Sequence, residues 1–421
     1  MFMNFSIINL GCKVNRVESD SFGAFLLSNG ACATSLEFAN LVIVNTCTVT
    51  GDAEKKTRKA VRRAVREAKQ AHIVVTGCAA AINPELYKAL SPRICVVPKG
   101  LVSEYLEKQL FINQAMDNSG HHGSFIPFDS STNERIGDSF PTRVAVKIQD
   151  GCNHACTYCI VHTARGKAWS RNWDAIIDEV VALESHGVKE IVLTGIDLGS
   201  YRFGKRRLSD LLEELLTKTS KVRFRISSIE PCSIDKKLPE LLLSSRGRIC
   251  RHLHLPLQSG SHKVLKEMNR PYSRDYYLEL CENLHAEIPQ LSLTTDIIVG
   301  FPGETESEFK ETLDVATKVG FSKIHVFRYS KRDGTPAALR SDQISPEIIN
   351  RRACELSALS ENLRSVFAQS LLGTEELVVV EKKGWGMTES YYHIRVPENF
   401  EPGSTHLLRI HELDSLGVLI S

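Results

Sequence analysis

The chain has 421 residues, of which 42% are hydrophobic and 24% charged, and its net charge is +2. These fractions are typical of a globular protein, and the length predicts two or three domains. A net charge so close to zero points to no class of partner, so any nucleic-acid contact must come from local clusters. No apolar run reaches the roughly 18 residues of a membrane span, and no signal-peptide pattern is present. We therefore expect a cytoplasmic protein that binds no membrane.

The first part of the chain repeats one pattern three times: a short apolar strand, a turn with a cysteine, and a helical stretch. The three cysteines are Cys12, Cys47 and Cys78. This alternation predicts a Rossmann-like parallel α/β domain over residues 1–112. Because the carboxyl ends of parallel strands share one edge of a sheet, we expect the three thiols to lie together and form a metal site. Three separately buried cysteines are the alternative.

The predicted helix that follows Cys47 is strongly basic. Its eight basic residues are Lys55, Lys56, Arg58, Lys59, Arg62, Arg63, Arg66 and Lys69. A narrow apolar stripe leaves most of the circumference to these cations. The helix is therefore predicted to contact phosphate groups rather than serve only as a solvated face.

Three further segments complete the predicted domain organisation. Residues 113–141 are polar and read as a linker. Residues 142–369 contain six strand–helix units, which predict a (βα)6 partial TIM barrel with its active site at the carboxyl ends of the strands. Residues 370–421 have short alternating strands with Gly and Pro between them, which predict a small antiparallel β-barrel of a kind that often binds oligonucleotides.

Three more cysteines follow the first barrel strand in a C-x3-C-x2-C spacing: Cys152, Cys156 and Cys159. Two kinds of metal site fit them. A zinc site would take His154 or His162 as its fourth ligand. A [4Fe–4S] cluster would use the three thiolates and leave one iron open for a chelating ligand. The spacing alone leaves both alternatives open.

Motifs spread over the whole chain resemble those of the radical S-adenosylmethionine methylthiotransferases. They are LGCKVN (10–15), NTCTVT (45–50), TGC (76–78), DGCNHACTYCI (150–160), LTGIDLGSY (193–201), SSIEP (227–231), HLHLPLQSGS (252–261), DIIVGFPGETE (296–306) and HVFRYSKRDGTPAA (325–338). The resemblance implies an N-terminal methylthiotransferase domain, a radical S-adenosylmethionine core and a TRAM-like RNA-binding β-barrel. Two positions depart from the family pattern: His162 replaces a usual proline, and Trp169 a usual arginine.

The resemblance implies two [4Fe–4S] clusters and S-adenosylmethionine as cofactors. Cys152, Cys156 and Cys159 would hold the cluster that cleaves S-adenosylmethionine to a radical, and Cys12, Cys47 and Cys78 an auxiliary cluster that presents sulfur. S-adenosylmethionine would serve as both methyl donor and radical source. The reaction implied by the resemblance is transfer of a methylthio group to carbon 2 of an adenine base. Radical chemistry suits this reaction, because the hydrogen on that carbon is neither acidic nor displaceable by a polar route, so general acid–base groups cannot activate it.

The resemblance also implies contacts with cofactor and partners. Gly195, Glu230, Gln258 and Ser259 follow barrel strands and are expected to bind S-adenosylmethionine at the barrel mouth. The expected partners are the anticodon loop of tRNA and an electron donor such as flavodoxin or ferredoxin, and we expect a monomer.

Three subgroups of the family differ in substrate. LGCKVN, NTCTVT and HVFRYSKRDGTPAA resemble the subgroup that acts on N6-threonylcarbamoyladenosine at position 37 of tRNA. The alternatives are isopentenyladenosine in tRNA and a ribosomal-protein aspartate. A zinc-containing, non-catalytic RNA-binding protein is the alternative from a different functional class.

Overall fold

The computed structural model describes residues 3–48, 51–113, 128–129, 134–135, 142–415 and 417–421. The chain divides into two compact units. Unit 1 comprises Met1–Pro141 with Ile160–Gly166, and unit 2 comprises Thr142–Cys159 with Lys167–Ser421. Most of the predicted linker, residues 113–141, lies outside the described residues. Among the described helices, none is long and apolar enough to cross a membrane.

Unit 1 contains a five-stranded parallel sheet in the order β2-β1-β3-β4-β5. Its strands are β1 (Asn4–Asn9), β2 (Cys32–Ala33), β3 (Leu41–Thr46), β4 (His72–Gly77) and β5 (Ile94–Val96). Its helices are α1 (Lys13–Ser28), α2 (Gly51–Glu67), α3 (Cys78–Ile82), α4 (Pro84–Lys88), α5 (Val102–Asn113) and α6 (Val161–Arg165). A short hairpin is formed by β6 (Phe128–Asp129) and β7 (Glu134–Arg135). The parallel α/β prediction for this part of the chain is confirmed.

Helices cover both faces of this sheet. The central strand β3 reads LVIVNT and is buried along its whole length, as an apolar run in a parallel sheet must be when both faces are covered. Val42 and Val44 pack in one core with Val61 of α2. Leu41 and Ile43 pack in a second core, together with Phe22 and Leu26 of α1. The apolar stripe of α2 is therefore fixed against the sheet.

Unit 2 begins with strands that form a parallel barrel wall. They are β8 (Arg143–Lys147), β11 (Glu190–Thr194), β12 (Arg223–Ile226), β13 (His252–His254), β14 (Ser292–Val299) and β15 (Lys323–Arg328), with a small antiparallel pair, β9 (Gln149–Asp150) and β10 (Trp169–Ser170). The helices are α7 (Trp173–Ser185), α8 (Leu208–Lys218), α9 (Leu238–Ser244), α10 (His262–Glu267), α11 (Arg274–Glu287), α12 (Glu306–Val319) and α13 (Pro346–Ser370).

The six barrel strands lie side by side in chain order. Two three-stranded parallel sheets, β8-β11-β12 and β13-β14-β15, are joined by parallel bridges from Phe224 to Ile249 and from Ser228 to His254. Alternate residues such as Leu253, Leu293 and Ile324 enter a large apolar core with the surrounding helices. This arrangement confirms the (βα)6 partial barrel, with the carboxyl ends of its strands at one mouth.

The last part of unit 2 is a six-stranded sheet in the order β19-β16-β17-β18-β21-β20. Its strands are β16 (Glu375–Lys382), β17 (Trp385–Thr388), β18 (His393–Arg395), β19 (Thr405–Arg409), β20 (Glu412–Leu413) and β21 (Leu419–Ile420). All pairings are antiparallel except that of β18 with β21, which is parallel. The predicted antiparallel C-terminal sheet is thus confirmed, in the form of a half-barrel.

Buried charges attach this sheet to the barrel. Arg223 and Arg225 on β12 both pair with Glu190 on β11, and the exposed fraction of all three side chains is 2% or less. The Nη1 atom of Arg223 donates to the backbone oxygen of Leu377 at 2.5 Å, and Nη2 of Arg225 donates to that of Thr388 at 2.9 Å. Glu190 therefore supplies one negative charge shared by the two cations that hold β16 and β17.

Candidate functional site

Cys12, Cys47 and Cys78 lie at the carboxyl ends of three adjacent strands in unit 1. Cys12 precedes α1, Cys47 directly follows β3, and Cys78 is the first residue of α3. Strands β1, β3 and β4 are parallel neighbours, so their ends share one edge. Cys47 and Cys78 are each 3% exposed, and Cys12 is half-buried. The topology brings the three cysteine-bearing turns to this edge.

Gly11 allows the turn that carries Cys12 to contact Cys47. Its φ is +103°, and a Cβ atom added there would lie 2.6 Å from both Cβ and Sγ of Cys47. Any larger residue would therefore overlap the Cys47 side chain. Asn15 fixes the same turn, because its Nδ2 donates to the backbone oxygens of Leu10 and Thr46, both at 2.8 Å.

A buried cation lies behind this turn. Arg165, on α6 of unit 1, is 1% exposed and pairs with Glu18 at 3.3 Å. Its Nη2 donates to Oδ1 of Asn15 at 2.5 Å, and that oxygen lies 3.9 Å from the Sγ of Cys12. Arg165 therefore fixes the Asn15 side chain that holds the Cys12 turn.

The C-x3-C-x2-C loop follows β9 in unit 2, and Gln149 holds its start. The Nε2 of Gln149 donates to the backbone oxygen of Gly151 at 2.9 Å. Its Oε1 accepts from the backbone nitrogens of Ile196 and Asp197, at 2.9 and 3.0 Å. Gly195 makes room for this amide, because a Cβ there would lie 2.8 Å from Oε1. Gln149 thus ties the cysteine loop to the end of β11.

The thiols of this loop differ in their surroundings. Burial raises the pKa of Cys152 to about 11, so metal binding there must displace a proton. The Cys156 side chain is 6% exposed, and its Sγ lies 3.2 Å from Nη1 of Arg270. The loop also bonds to the end of α10, where the nitrogen of Thr157 donates to the oxygen of Met268 at 3.1 Å. A buried guanidinium beside a cysteine fits a thiolate-ligated cluster.

Arg270 joins Cys156 to Glu230. Its Nη2 donates to Oε1 of Glu230 at 2.5 Å, and both side chains are less than a tenth exposed. Burial raises the pKa of Glu230, against the opposing charge of Arg270. Arg270 escaped the sequence analysis because it lies in none of the quoted motifs and reaches Cys156 across 114 residues.

The histidines considered as zinc ligands are engaged elsewhere or exposed. Nε2 of His154 lies 3.4 Å from Oδ2 of Asp197, a contact that raises the pKa of His154. His162 lies exposed on α6. Asp197 also accepts from the backbone nitrogen of Glu230, at 3.2 Å, and the sequence analysis missed this role although the residue belongs to LTGIDLGSY.

The spacing of the thiols also bears on the choice of metal. Among the described residues, the one set of three metal-ligating groups whose ligand atoms lie within 4.8 Å of one another contains no cysteine. Tetrahedral zinc with Zn–S bonds of about 2.3 Å would need sulfurs about 3.8 Å apart. Both cysteine triads are wider than that, which suits a cluster better than one ion.

The four residues expected to bind the cofactor follow three strands of unit 2, namely β11, β12 and β13. Gly195 and Glu230 lie beyond β11 and β12, in the network described above. Gln258 has a φ of +66°, and its backbone nitrogen donates to the oxygen of Asp296 at 2.8 Å. Ser259 is fully buried, and its hydroxyl lies 3.4 Å from that of Thr312 on α12.

Comparison with known proteins agrees with this geometry. Residues 146–316 match the Radical SAM superfamily, and residues 4–97 match the uncharacterized protein family UPF0004. The chain is 38% identical to a Bacillus subtilis (strain 168) protein named threonylcarbamoyladenosine tRNA methylthiotransferase MtaB, over 90% of this chain and 85% of that one. The chain belongs to the radical S-adenosylmethionine methylthiotransferase family.

Two further proteins are similar to this methylthiotransferase, one in sequence and one in structure. It is 35% identical to a Carboxydothermus hydrogenoformans protein named tRNA-2-methylthio-N(6)-dimethylallyladenosine synthase, over 90% of this chain and 88% of that one. The solved structure of the radical S-adenosylmethionine methyltransferase TsrM from Kitasatospora setae has a TM-score of 0.55 at 14% identity, and covers 80% of this chain and 77% of that one. The structural likeness shows a shared fold alone.

Proposed function

We propose that this methylthiotransferase adds a methylthio group to carbon 2 of N6-threonylcarbamoyladenosine at position 37 of tRNA, with S-adenosylmethionine as methyl donor and radical source. The observation that carries the proposal is the similarity along 90% of the chain to a protein named for that reaction. The motifs LGCKVN and NTCTVT also resemble that subgroup. The second candidate is the isopentenyladenosine reaction, which the 35% identical relative favours.

Two sets of three cysteines would hold the metal clusters. Cys152, Cys156 and Cys159 fit a [4Fe–4S] cluster because Gln149 holds the start of their loop and the buried guanidinium of Arg270 lies beside the Sγ of Cys156. When bound, such a cluster supplies the electron that cleaves S-adenosylmethionine. We assign a second [4Fe–4S] cluster to Cys12, Cys47 and Cys78, supported by their common sheet edge and by the contact of Gly11 with Cys47.

Polar groups at the ends of β11 and β12 would position the cofactor. Asp197 and Arg270 hold Glu230 from two sides, so that its carboxylate has a fixed place near Cys156. We propose that Glu230, Gly195 and Gln258 contribute to the S-adenosylmethionine site. Ser259 would act by shaping the loop after β13, since its hydroxyl is turned to α12.

The basic face of α2 would contact tRNA. Its apolar stripe is buried in the sheet core, and six of the seven predicted basic residues that lie on the helix are exposed. The eighth, Lys69, is exposed just beyond the end of α2. Two ion pairs with Glu67, from Arg63 and Arg66, offset only part of that charge. The face therefore stays positive and suits the phosphates of an RNA loop. A flavodoxin or ferredoxin as electron donor, the monomeric state and a cytoplasmic location stay predictions.

Separate loss of the two triads tests the proposal. Under a strong reductant, the enzyme should release 5′-deoxyadenosine from S-adenosylmethionine and thiolate tRNA. Cys156→Ala should abolish both reactions, whereas Cys47→Ala should stop thiolation and spare the release. Cys354→Ala is the matched control, since this exposed cysteine lies in neither triad. Equal loss of both reactions in Cys47→Ala would contradict separate roles for the triads.

A further inference from the structure

Three metal-ligating side chains, none of them a cysteine, converge on adjacent barrel strands. They are His254 at the end of β13, Asp296 on β14 and His325 on β15. One ligand atom of each lies within 4.8 Å of the other two. None of these three side chains belongs to the cysteine loops described above.

The strand register explains why they meet. Asp296 is paired directly with His325, and His254 is paired with Thr294, two residues before Asp296. Since residues i and i+2 of a strand point to the same face, all three side chains share one face of the sheet. The intervening residues Leu253 and Ile324 enter the apolar core with the outer helices. The side chains of His254, Asp296 and His325 therefore lie on the interior face of the barrel.

The distances suit a metal ion. The Nε2 atom of His254 lies 3.3 Å from Oδ1 of Asp296. Two ligands at 2.0–2.1 Å from a tetrahedral ion are about 3.3–3.4 Å apart, so these atoms already have the spacing of a tetrahedral edge. The rings of His254 and His325 are 5.6 Å apart between centroids. Small rotations of these side chains would complete a three-ligand site.

The ring of His254 is also held from behind. Its Nδ1 lies 3.0 Å from the hydroxyl oxygen of Thr294, so Nε2 faces Asp296. A second hydrogen bond of this kind is the usual support of a metal-bound histidine, because it fixes the tautomer and orientation of the ring. The side chains of His254 and Asp296 are 14% and 27% exposed. His325 also lines a cavity of about 320 Å³ with Ser357 and Ser360 of α13.

We propose that His254, Asp296 and His325 bind a divalent transition-metal ion in the barrel interior. Two imidazoles and one carboxylate suit zinc or ferrous iron and are poor ligands for magnesium or calcium. Three protein ligands leave at least one coordination position open to water or to an oxygen donor. The site is independent of the proposed function, since no cysteine and no step of thiolation enters the argument.

Zinc alone serves as the probe for this site. The iron-loaded enzyme is equilibrated anaerobically with a small excess of Zn²⁺ and dialysed, and zinc and iron are then measured for each chain. The enzyme should retain one more zinc than His325→Ala and Asp296→Asn, with equal iron in all three. Asp296→Asn keeps the shape of the side chain and removes its charge. His186→Ala, an exposed histidine of the same unit, should retain as much zinc as the unchanged chain.

X-ray absorption at the zinc edge separates this site from adventitious thiol binding. The zinc that disappears in the two variants should have nitrogen and oxygen neighbours at about 2.0–2.1 Å and no sulfur at about 2.3 Å. Equal zinc in the unchanged chain and in Asp296→Asn would overturn the proposal. A shell with sulfur around the variant-dependent zinc would overturn it as well.

Discussion

Substitution of Gly11 tests how closely the first cysteine turn approaches Cys47. In Gly11→Ala the new Cβ would lie 2.6 Å from both Cβ and Sγ of Cys47. Ordinary carbon contacts are about 3.5–4.0 Å, so Cys47 must move by about 1 Å. Metal sites tolerate deviations of about 0.2 Å in ligand distance. The displacement is several times larger, and we expect the variant to lose the cluster assigned to Cys12, Cys47 and Cys78.

Gly30→Ala is the matched control for this variant. Gly30 also has a positive φ, +81°, but a Cβ there would meet nothing within 4 Å. Both variants incur the left-handed backbone cost of about 1–2 kcal/mol, and only Gly11→Ala crowds a thiol. The difference between the two variants therefore isolates the steric effect on Cys47.

Iron content and product analysis give the readout. The unchanged chain and Gly30→Ala should hold about eight irons when fully loaded, and Gly11→Ala about four. Gly11→Ala should still release 5′-deoxyadenosine while it fails to thiolate tRNA. If Gly11→Ala keeps eight irons and full thiolation, Cys47 does not hold a cluster next to the Gly11 turn.

Three further predictions concern buried charge and RNA contact. Glu190→Gln should lower the free energy of unfolding of unit 2 by about 3–5 kcal/mol in denaturant titration, because two buried arginines lose their counter-charge. An effect as small as that of the exposed control Glu213→Gln would contradict this. The Arg270→Gln variant should retain the iron of the unchanged chain. It should lower the reduction potential of the cluster next to Cys156 by on the order of 60 mV in an EPR-monitored titration, because a charged hydrogen bond to Cys156 is lost. An unchanged potential would argue against that contact. Charge reversal at three exposed positions of α2, Lys55, Lys59 and Arg62, should weaken tRNA binding and reduce the slope of its salt dependence by about 2–3. Charge reversal at two exposed lysines of α12, Lys310 and Lys318, should leave both unchanged.

The fold was predictable because the spacing of apolar residues and the order of strands and helices along the chain determine it. Strand–turn–helix repeats predicted the parallel sheets of both units, and the apolar run 41–44 of β3 agrees with burial of that strand on both faces. The cysteine turns were predictable for the same reason, since parallel topology alone brings the ends of β1, β3 and β4 to one edge. Their cluster ligation stays a prediction.

Contacts between distant segments were not predictable from the pattern. Arg270 reaches Cys156 from a turn after α10 with no periodicity of its own. Ser259 follows β13, and the contact of its hydroxyl with Thr312 of α12 was equally hidden from the pattern. The convergence of His254, Asp296 and His325 depends on the register of β14 with β15, which the sequence pattern does not reveal.

Nucleoside mass spectrometry of the reaction product tests the central claim most directly. The iron-loaded enzyme is given S-adenosylmethionine, a reductant and tRNA that carries N6-threonylcarbamoyladenosine, and in parallel tRNA that carries isopentenyladenosine. We predict that the 2-methylthio derivative of N6-threonylcarbamoyladenosine forms, and that Cys47→Ala does not produce it. Methylthiolation of isopentenyladenosine alone, or release of 5′-deoxyadenosine without any methylthio nucleoside, would contradict the proposed function.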